Sequence, residues 1–254
     1  MNKTKKYFFL SRLMAMGLVM GGVLAANTTY AESIFEYLTP TADSSPAGLA
    51  FDSKGNLWFA EVNGNKIGKL TPSKVKPGTS DGIVEYELPH ANSKPQYLIV
   101  SRDDIVWFSE MGGNRIGRLD PATGIIREYD IPTPNSEPHH LFESRDRKIW
   151  FTEFEANKIG RLDPIMGEIK EFPVNEGHPH DLVVEDEYVW YTQGGKFWAQ
   201  VFANKIGYLE LKTGKVGEIM IPPKKSVPHG MFLASDGTIW FTQFFAGKIS
   251  NLGI

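Results

Sequence analysis

The sequence predicts an all-β protein, a β-propeller of five four-stranded blades, on three observations. First, one phrase recurs five times, around Trp58, Trp107, Trp150, Trp190 and Trp240, at successive separations of 49, 43, 40 and 50 residues. A period near 40–45 residues with several short strands per unit marks a propeller. Second, the intervals are rich in β-formers punctuated by turn residues, as in Asp120-Pro121-Ala122-Thr123-Gly124. Third, Gly 25, Pro 16 and 12% aromatic residues suit many turns and aromatic strands.

The first 31 residues read as a leader. Lys3, Lys5, Lys6 and Arg12 precede an apolar run from Leu13 to Ala26, short for a bilayer span, and small residues fit cleavage after Ala25 or Ala31. Residues 1–31 are therefore expected to be a signal peptide and 32–254 the propeller domain, with a periplasmic or secreted product; an uncleaved anchor is the alternative. Without the leader the chain has 23 basic and 30 acidic residues, net −7, and no basic stripe. Nucleic acid is thus an unexpected partner, as is a membrane after cleavage, and the chain is expected to be monomeric. Cysteine is absent, which removes disulfides, a thiol nucleophile and thiolate metal sites.

Each unit supplies strand A after a proline, strand B with the Trp-Phe pair, strand C with Ile-Gly, and a fourth strand D. The third unit is the clearest copy: Pro138-His139-His140-Leu141, Ile149-Trp150-Phe151-Thr152-Glu153, Asn157-Lys158-Ile159-Gly160-Arg161-Leu162 and Ile169-Lys170-Glu171-Phe172. Apolar residues on both faces of strand B suit a blade packed between two others. Ile34-Phe35-Glu36-Tyr37 resembles a D strand with no A, B or C before it, and the last unit stops after its C strand at Leu252. The N-terminal strand is therefore expected to complete the last blade and close the ring; an arc of a larger propeller is the alternative.

Strand alternation puts D–A loops and B–C turns at one edge. All six histidines (His90, His139, His140, His178, His180, His229) fall there, in D–A loops or at the start of strand A. The residue after the repeat's proline begins the innermost strand and reads Ala47, Gln96, His139, His180, His229 around the ring. The residue ending strand B reads Glu61, Glu110, Glu153, Gln193, Gln243. Histidines and carboxylates at a funnel mouth could bind a divalent cation or run acid–base chemistry. They could equally serve as hydrogen-bond partners between blades. Trp to the following Lys or Arg is 8 residues in four units but 15 from Trp190 to Lys205. The insertion brings Phe197 and Trp198 to the same edge, as a lid or ligand contact, or as an aromatic plug. No Gly-x-Ser-x-Gly elbow, P-loop or His-Glu-x-x-His is present.

Four phrases, Pro228-His229-Gly230, Ile149-Trp150-Phe151-Thr152, Asn157 to Arg161 and Arg127 to Pro134, resemble the virginiamycin B (streptogramin B) lyase family over roughly residues 34–252. The resemblance implies a lyase that opens a cyclic depsipeptide ester by elimination, with magnesium polarising the ester. It places the base at His229 and a partner histidine at His180. The family's Glu-Pro-His phrase stands here at Glu137-Pro138-His139, which makes His139 an alternative base; Val227 precedes Pro228 instead.

The expected function is an exported, metal-assisted carbon–oxygen lyase acting on a small cyclic peptide such as a streptogramin B. His229, His139 and His180 are its catalytic candidates, Glu137, Glu153 and His180 the magnesium ligands, and Gln96, Phe197, Trp198 and Gln243 the substrate contacts. The alternative is a non-catalytic envelope propeller that binds a peptide or glycan at the histidine-lined funnel, with a lactonase-like metal hydrolase a third reading.

Overall fold

A computed structural model describes residues 34–196, 202–222 and 225–253. It is all-β: five antiparallel sheets follow one another along the chain, each in sequential strand order. Blade one holds β1 (Pro46–Phe51), β2 (Leu57–Glu61), β3 (Lys66–Leu70) and β4 (Ile83–Glu87). Blade two holds β5 (Pro95–Val100), β6 (Val106–Glu110), β7 (Arg115–Leu119) and β8 (Ile126–Asp130). Blade three holds β9 (Pro138–Glu143), β10 (Ile149–Glu153), β11 (Lys158–Leu162) and β12 (Ile169–Pro173). Blade four holds β13 (Pro179–Glu185), β14 (Tyr188–Gln193), β15 (Lys205–Glu210) and β16 (Val216–Met220). Blade five holds β17 (Pro228–Leu233), β18 (Ile239–Gln243) and β19 (Lys248–Leu252). These elements are the A, B and C strands read from the sequence in all five units and the D strands that follow the first four; the D strand read at Ile34 to Tyr37 is not formed.

The repeated phrases have structural causes. The Trp face of each of the first four blades packs on an apolar face of the next. Trp58, Ala60 and Ile67 meet Leu98, Val106 and Phe108, and Trp107 and Ile116 meet Leu141, Ile149 and Phe151. The same join recurs between blades three and four and between four and five. Each large side chain buried in these joins stabilises the fold by roughly 1.5–3 kcal/mol. The Gly of Ile-Gly leaves room for the strand-B aromatic: a Cβ on Gly160 would lie 2.1 Å from Phe151 Cζ. The Asn of Asn-Lys-Ile-Gly takes the left-handed conformation that Asn tolerates, with φ of 56° at Asn65, 56° at Asn114, 50° at Asn157 and 57° at Asn204. Its side chain then binds the D–A loop: Asn157 Oδ1 accepts the Gly177 N–H (3.1 Å) and the His178 N–H (2.9 Å).

Among the described residues the expected closure is not formed. The fifth sheet has three strands, and the segment at Glu36 to Leu38 lies instead along the long loop of blade one. There the Gly78 N–H donates to Glu36 O (2.8 Å) and the Leu38 N–H donates to Thr79 O (3.0 Å). Thr41 anchors the same segment, its N–H donating to Glu85 Oε1 at 2.7 Å. The outer faces of the first and last blades are consequently open: Leu49 and Phe51 are 63% and 64% exposed, and Phe232 and Ile249 are 68% and 73% exposed.

Candidate functional site

The inner strands β5, β9, β13 and β17 carry the site. Each begins with a register shift against its strand-B partner, just after the repeat's proline. In a regular strand successive side chains point to opposite faces. An irregularity of this kind re-aims them, and here both residues after the proline reach one cluster. The first tier brings His139, His180 and His229 together: ring centroids are 5.0 Å apart for His139–His180 and 3.7 Å for His180–His229. The second tier brings Tyr97, His140 and Asp181 against them. Tyr97 lies 4.6 Å from His140 and 5.3 Å from His139, and His140 Nδ1 lies 2.7 Å from Asp181 Oδ1.

The Thr of Trp-Phe-Thr fixes these irregular starts. The His140 N–H donates to Thr152 Oγ1 (3.1 Å), which donates to His180 O on the next inner strand (2.9 Å). The Asp181 N–H donates to Thr192 Oγ1 (3.1 Å), which donates to His229 O (2.8 Å). One hydroxyl thus satisfies a backbone N–H left without a ladder partner and staples two blades. Phe154, buried beside the site, stacks on His139 at 4.9 Å and 16°.

Burial governs the charge of the first tier. His139 is pushed down to about 4 by burial and by the neighbouring His140 and His229, and His180 is pushed down further to about 2 by burial and the same kind of neighbours. Burial also lowers His229, against the opposing pull of the Asp181 charge. The three imidazoles are therefore neutral at pH 7. Nδ1 of His139 and Nδ1 of His180 are buried without a hydrogen-bond partner among the described residues. A buried polar atom without a partner costs about 1–3 kcal/mol, and a bound ligand could supply the missing partner.

The carboxylates expected beside these histidines lie elsewhere. Glu153 is fully buried inside blade three with Glu171 and Lys158, and its carboxyl is pushed up to about 8, first by burial and then by the Glu171 charge. Glu61 repeats this in blade one with Glu85 and Lys66, pushed up to about 7 by burial and the Glu85 charge. Glu110 repeats it in blade two, where Arg115 Nη2 lies 3.0 Å from its Oε2. Gln243 is buried at the same position of blade five, its Nε2 donating to Ser250 Oγ at 2.6 Å. Glu137 lies beside Glu155; its carboxyl is raised by burial and by the Glu155 charge. Gln96 keeps its first-tier position, half-buried on β5. Phe197 and Trp198 lie outside the described residues.

Magnesium prefers a near-octahedral set of oxygen donors. Glu137, Glu153 and His180 do not supply one, because Glu153 is turned into its blade and is protonated at neutral pH. Among the described residues no three His, Asp or Glu side chains group so as to hold a metal ion. The donors present do not fit the expected ion.

Tyr97, Asp181 and Phe154 are site residues that the sequence does not single out, and it marks His140 only by its edge. The available signal is positional: Tyr97, His140 and Asp181 each stand second after the repeat's proline.

Comparison with known proteins agrees with this architecture. A streptogramin B lyase structure superposes with a TM-score of 0.73 at 32% identity, covering 85% of this chain and 67% of that one. A catalytically inactive histidine-to-alanine variant of virginiamycin B lyase from Staphylococcus aureus, solved with quinupristin, gives a TM-score of 0.71 at 36% identity, covering 84% and 67%. Selenomethionine-substituted virginiamycin B lyase from the same organism gives 0.70 at 30% identity, covering 84% and 71%. The comparison with curated proteins returns no match. The family described as the virginiamycin B lyase family matches residues 24–252. The chain belongs to the virginiamycin B lyase family.

Proposed function

We propose that this protein is an exported carbon–oxygen lyase that opens the ester of a cyclic depsipeptide of the streptogramin B class. The observation that carries the reading is the convergence of neutral imidazoles, two with buried unpartnered Nδ1 atoms, at the inner-strand edge. Elimination needs a base that is unprotonated at working pH and close to the substrate. A neutral imidazole takes the Cα proton, the C–H electron pair forms the Cα–Cβ double bond, and the Cβ–O bond breaks to release a carboxylate. The unpartnered Nδ1 atoms offer hydrogen-bond partners to the depsipeptide's polar groups. Small-molecule binding is supported by the relative solved with quinupristin.

The test is incubation with quinupristin, with and without added magnesium, followed by mass spectrometry. A linear product isobaric with the substrate is expected, because elimination adds no atoms, whereas hydrolysis adds one water. Failure of the protein to yield that product under either condition overturns the reading, and binding without turnover would move it to a ligand-holding propeller. Export rests on the basic start and apolar run of the first 31 residues. The mass of the mature chain recovered from the periplasm or medium checks it; a full-length chain confined to the cytoplasm refutes it.

A further inference from the structure

We infer that this protein associates head to tail, the open face of its last blade receiving the open face of the first blade of a second copy, in place of the monomer expected from the sequence. Self-association of this kind is independent of the lyase reading above.

The joins inside the chain are built from the same two halves. The forward half is the Trp, the strand-A residue paired with it and the Ile of Ile-Gly. The receiving half is two alternate residues of strand A and two of strand B. In the first join Trp58, Ala50 and Ile67 thus meet Leu98, Val100, Val106 and Phe108. Blade five carries a forward half left uncovered among the described residues. Trp240 is 43% exposed, where Trp58, Trp107, Trp150 and Trp190 are buried. Phe232 and Ile249 stand where Ala50 and Ile67 stand in blade one, and both are exposed. Blade one carries an uncovered receiving half, because Leu49 and Phe51 stand where Leu98 and Val100 are packed in blade two. On the blade-five face an apolar hollow of about 280 Å³ opens between Met231, Phe232, Trp240 and Ile249. A Leu or Phe side chain, as at positions 49 and 51, is what fills the equivalent place in the internal joins.

The strand-B hydroxyls give a polar sign of the same vacancy. Thr152 and Thr192 each accept an N–H from their own inner strand and donate to a carbonyl of the next, His180 O and His229 O. Thr242 accepts the Gly230 N–H at 3.0 Å, but among the described residues no carbonyl takes its proton. A β1 strand laid beside β17 as β17 lies beside β13 would offer one at Ala47. Contiguous exposed apolar surface marks an interaction site. The occupant of each face must match the register of this repeat, and the other end of a second copy does so by its own sequence. Pairing of two last blades would set Trp on Trp, which none of the internal joins does. Contact between two different patches is heterologous, so copies close into a ring or extend as an open chain.

The test is sedimentation of the purified protein from about 1 to about 100 µM, for wild type, L49K, I249K and an equimolar mixture of the two variants. Both positions are exposed, so each variant should keep the wild-type unfolding midpoint in dilute solution; F51K and F232K repeat the test if either variant fails to fold. Wild type should at least double its weight-average mass across the range. Each variant alone should stay at the monomer mass, since losing one buried apolar anchor weakens association by about tenfold or more. The mixture should recover a dimer and stop there, because one intact pair of faces remains. Wild type that stays monomeric throughout, self-association of either variant alone, or no recovery in the mixture would each overturn head-to-tail docking.

Discussion

Replacing Glu153 by Gln should leave the protein at least as stable as wild type at pH 8, although it removes a carboxyl from the centre of a blade. Glu153 is raised from 4.5 to about 8, by burial first and then by the Glu171 charge. Glu171 itself stays low, because hydrogen bonds from Thr133 and Lys158 outweigh the upward push of burial. The native chain therefore keeps a proton on Glu153 between pH 4.5 and 8 that the unfolded chain releases. A native state that binds more protons than the unfolded state loses stability as pH rises. Below pH 4.5 both states are protonated and the effect vanishes. A tenfold change in proton affinity corresponds to about 1.36 kcal/mol, so the rise from 4.5 to about 8 sets an upper limit of roughly 5 kcal/mol. Coupling to Glu171 makes the part attributable to Glu153 alone smaller than this limit. A glutamine amide can offer an N–H toward Glu171, and the chain already carries Gln193 and Gln243, both buried, at this position. Urea unfolding from pH 5 to 8.5 is the assay. Wild type should weaken across that range and E153Q should weaken less. The same pH slope in both proteins, or a loss above about 1 kcal/mol in E153Q at pH 8, would refute the reasoning.

Other changes separate packing from chemistry. Gly160→Ala should cost about 1–3 kcal/mol through overpacking against Phe151; denaturant midpoints should show partial recovery in G160A/F151L. Thr152→Val removes the acceptor for the His140 N–H and the donor to His180 O. It should cost about 1–3 kcal/mol and lower turnover, whereas the more exposed Thr242→Val, whose hydroxyl accepts the Gly230 N–H, should cost less by the same unfolding assay. Ile249→Lys should change stability by about 0.5 kcal/mol or less. Ile159→Lys, at the same repeat position but fully buried, should abolish soluble folding, as soluble yield will show.

The blade boundaries were legible because the repeat is periodic and local. Trp-Phe, Ile-Gly and the Asn before Lys each serve a contact within one blade or to the next, and a recurring contact leaves a recurring phrase. The histidine edge was legible for the same reason, since strand alternation fixes which loops share it. The carboxylates were misplaced because ending strand B at that edge does not say which way the side chain turns. Glu61, Glu110 and Glu153 turn into their blades toward Lys66, Arg115 and Lys158, which start the paired strand C. Asp181 was overlooked because a regular strand would point it away from His180, and the register shift that turns both inward has no mark beyond the repeated proline and threonine.

By itself, then, the sequence determined the all-β repeat, the strand order and the edge on which the histidines gather, since these follow from residue types at short separations. Tertiary structure alone decided which side chains meet. Asp181 is 41 residues from His140 and 84 from Tyr97, and only the side-by-side packing of β5, β9 and β13 brings them together. The same holds for the ends: the apolar positions of the first and last blades read like every other copy, and whether they are buried depends on what lies beside them in space.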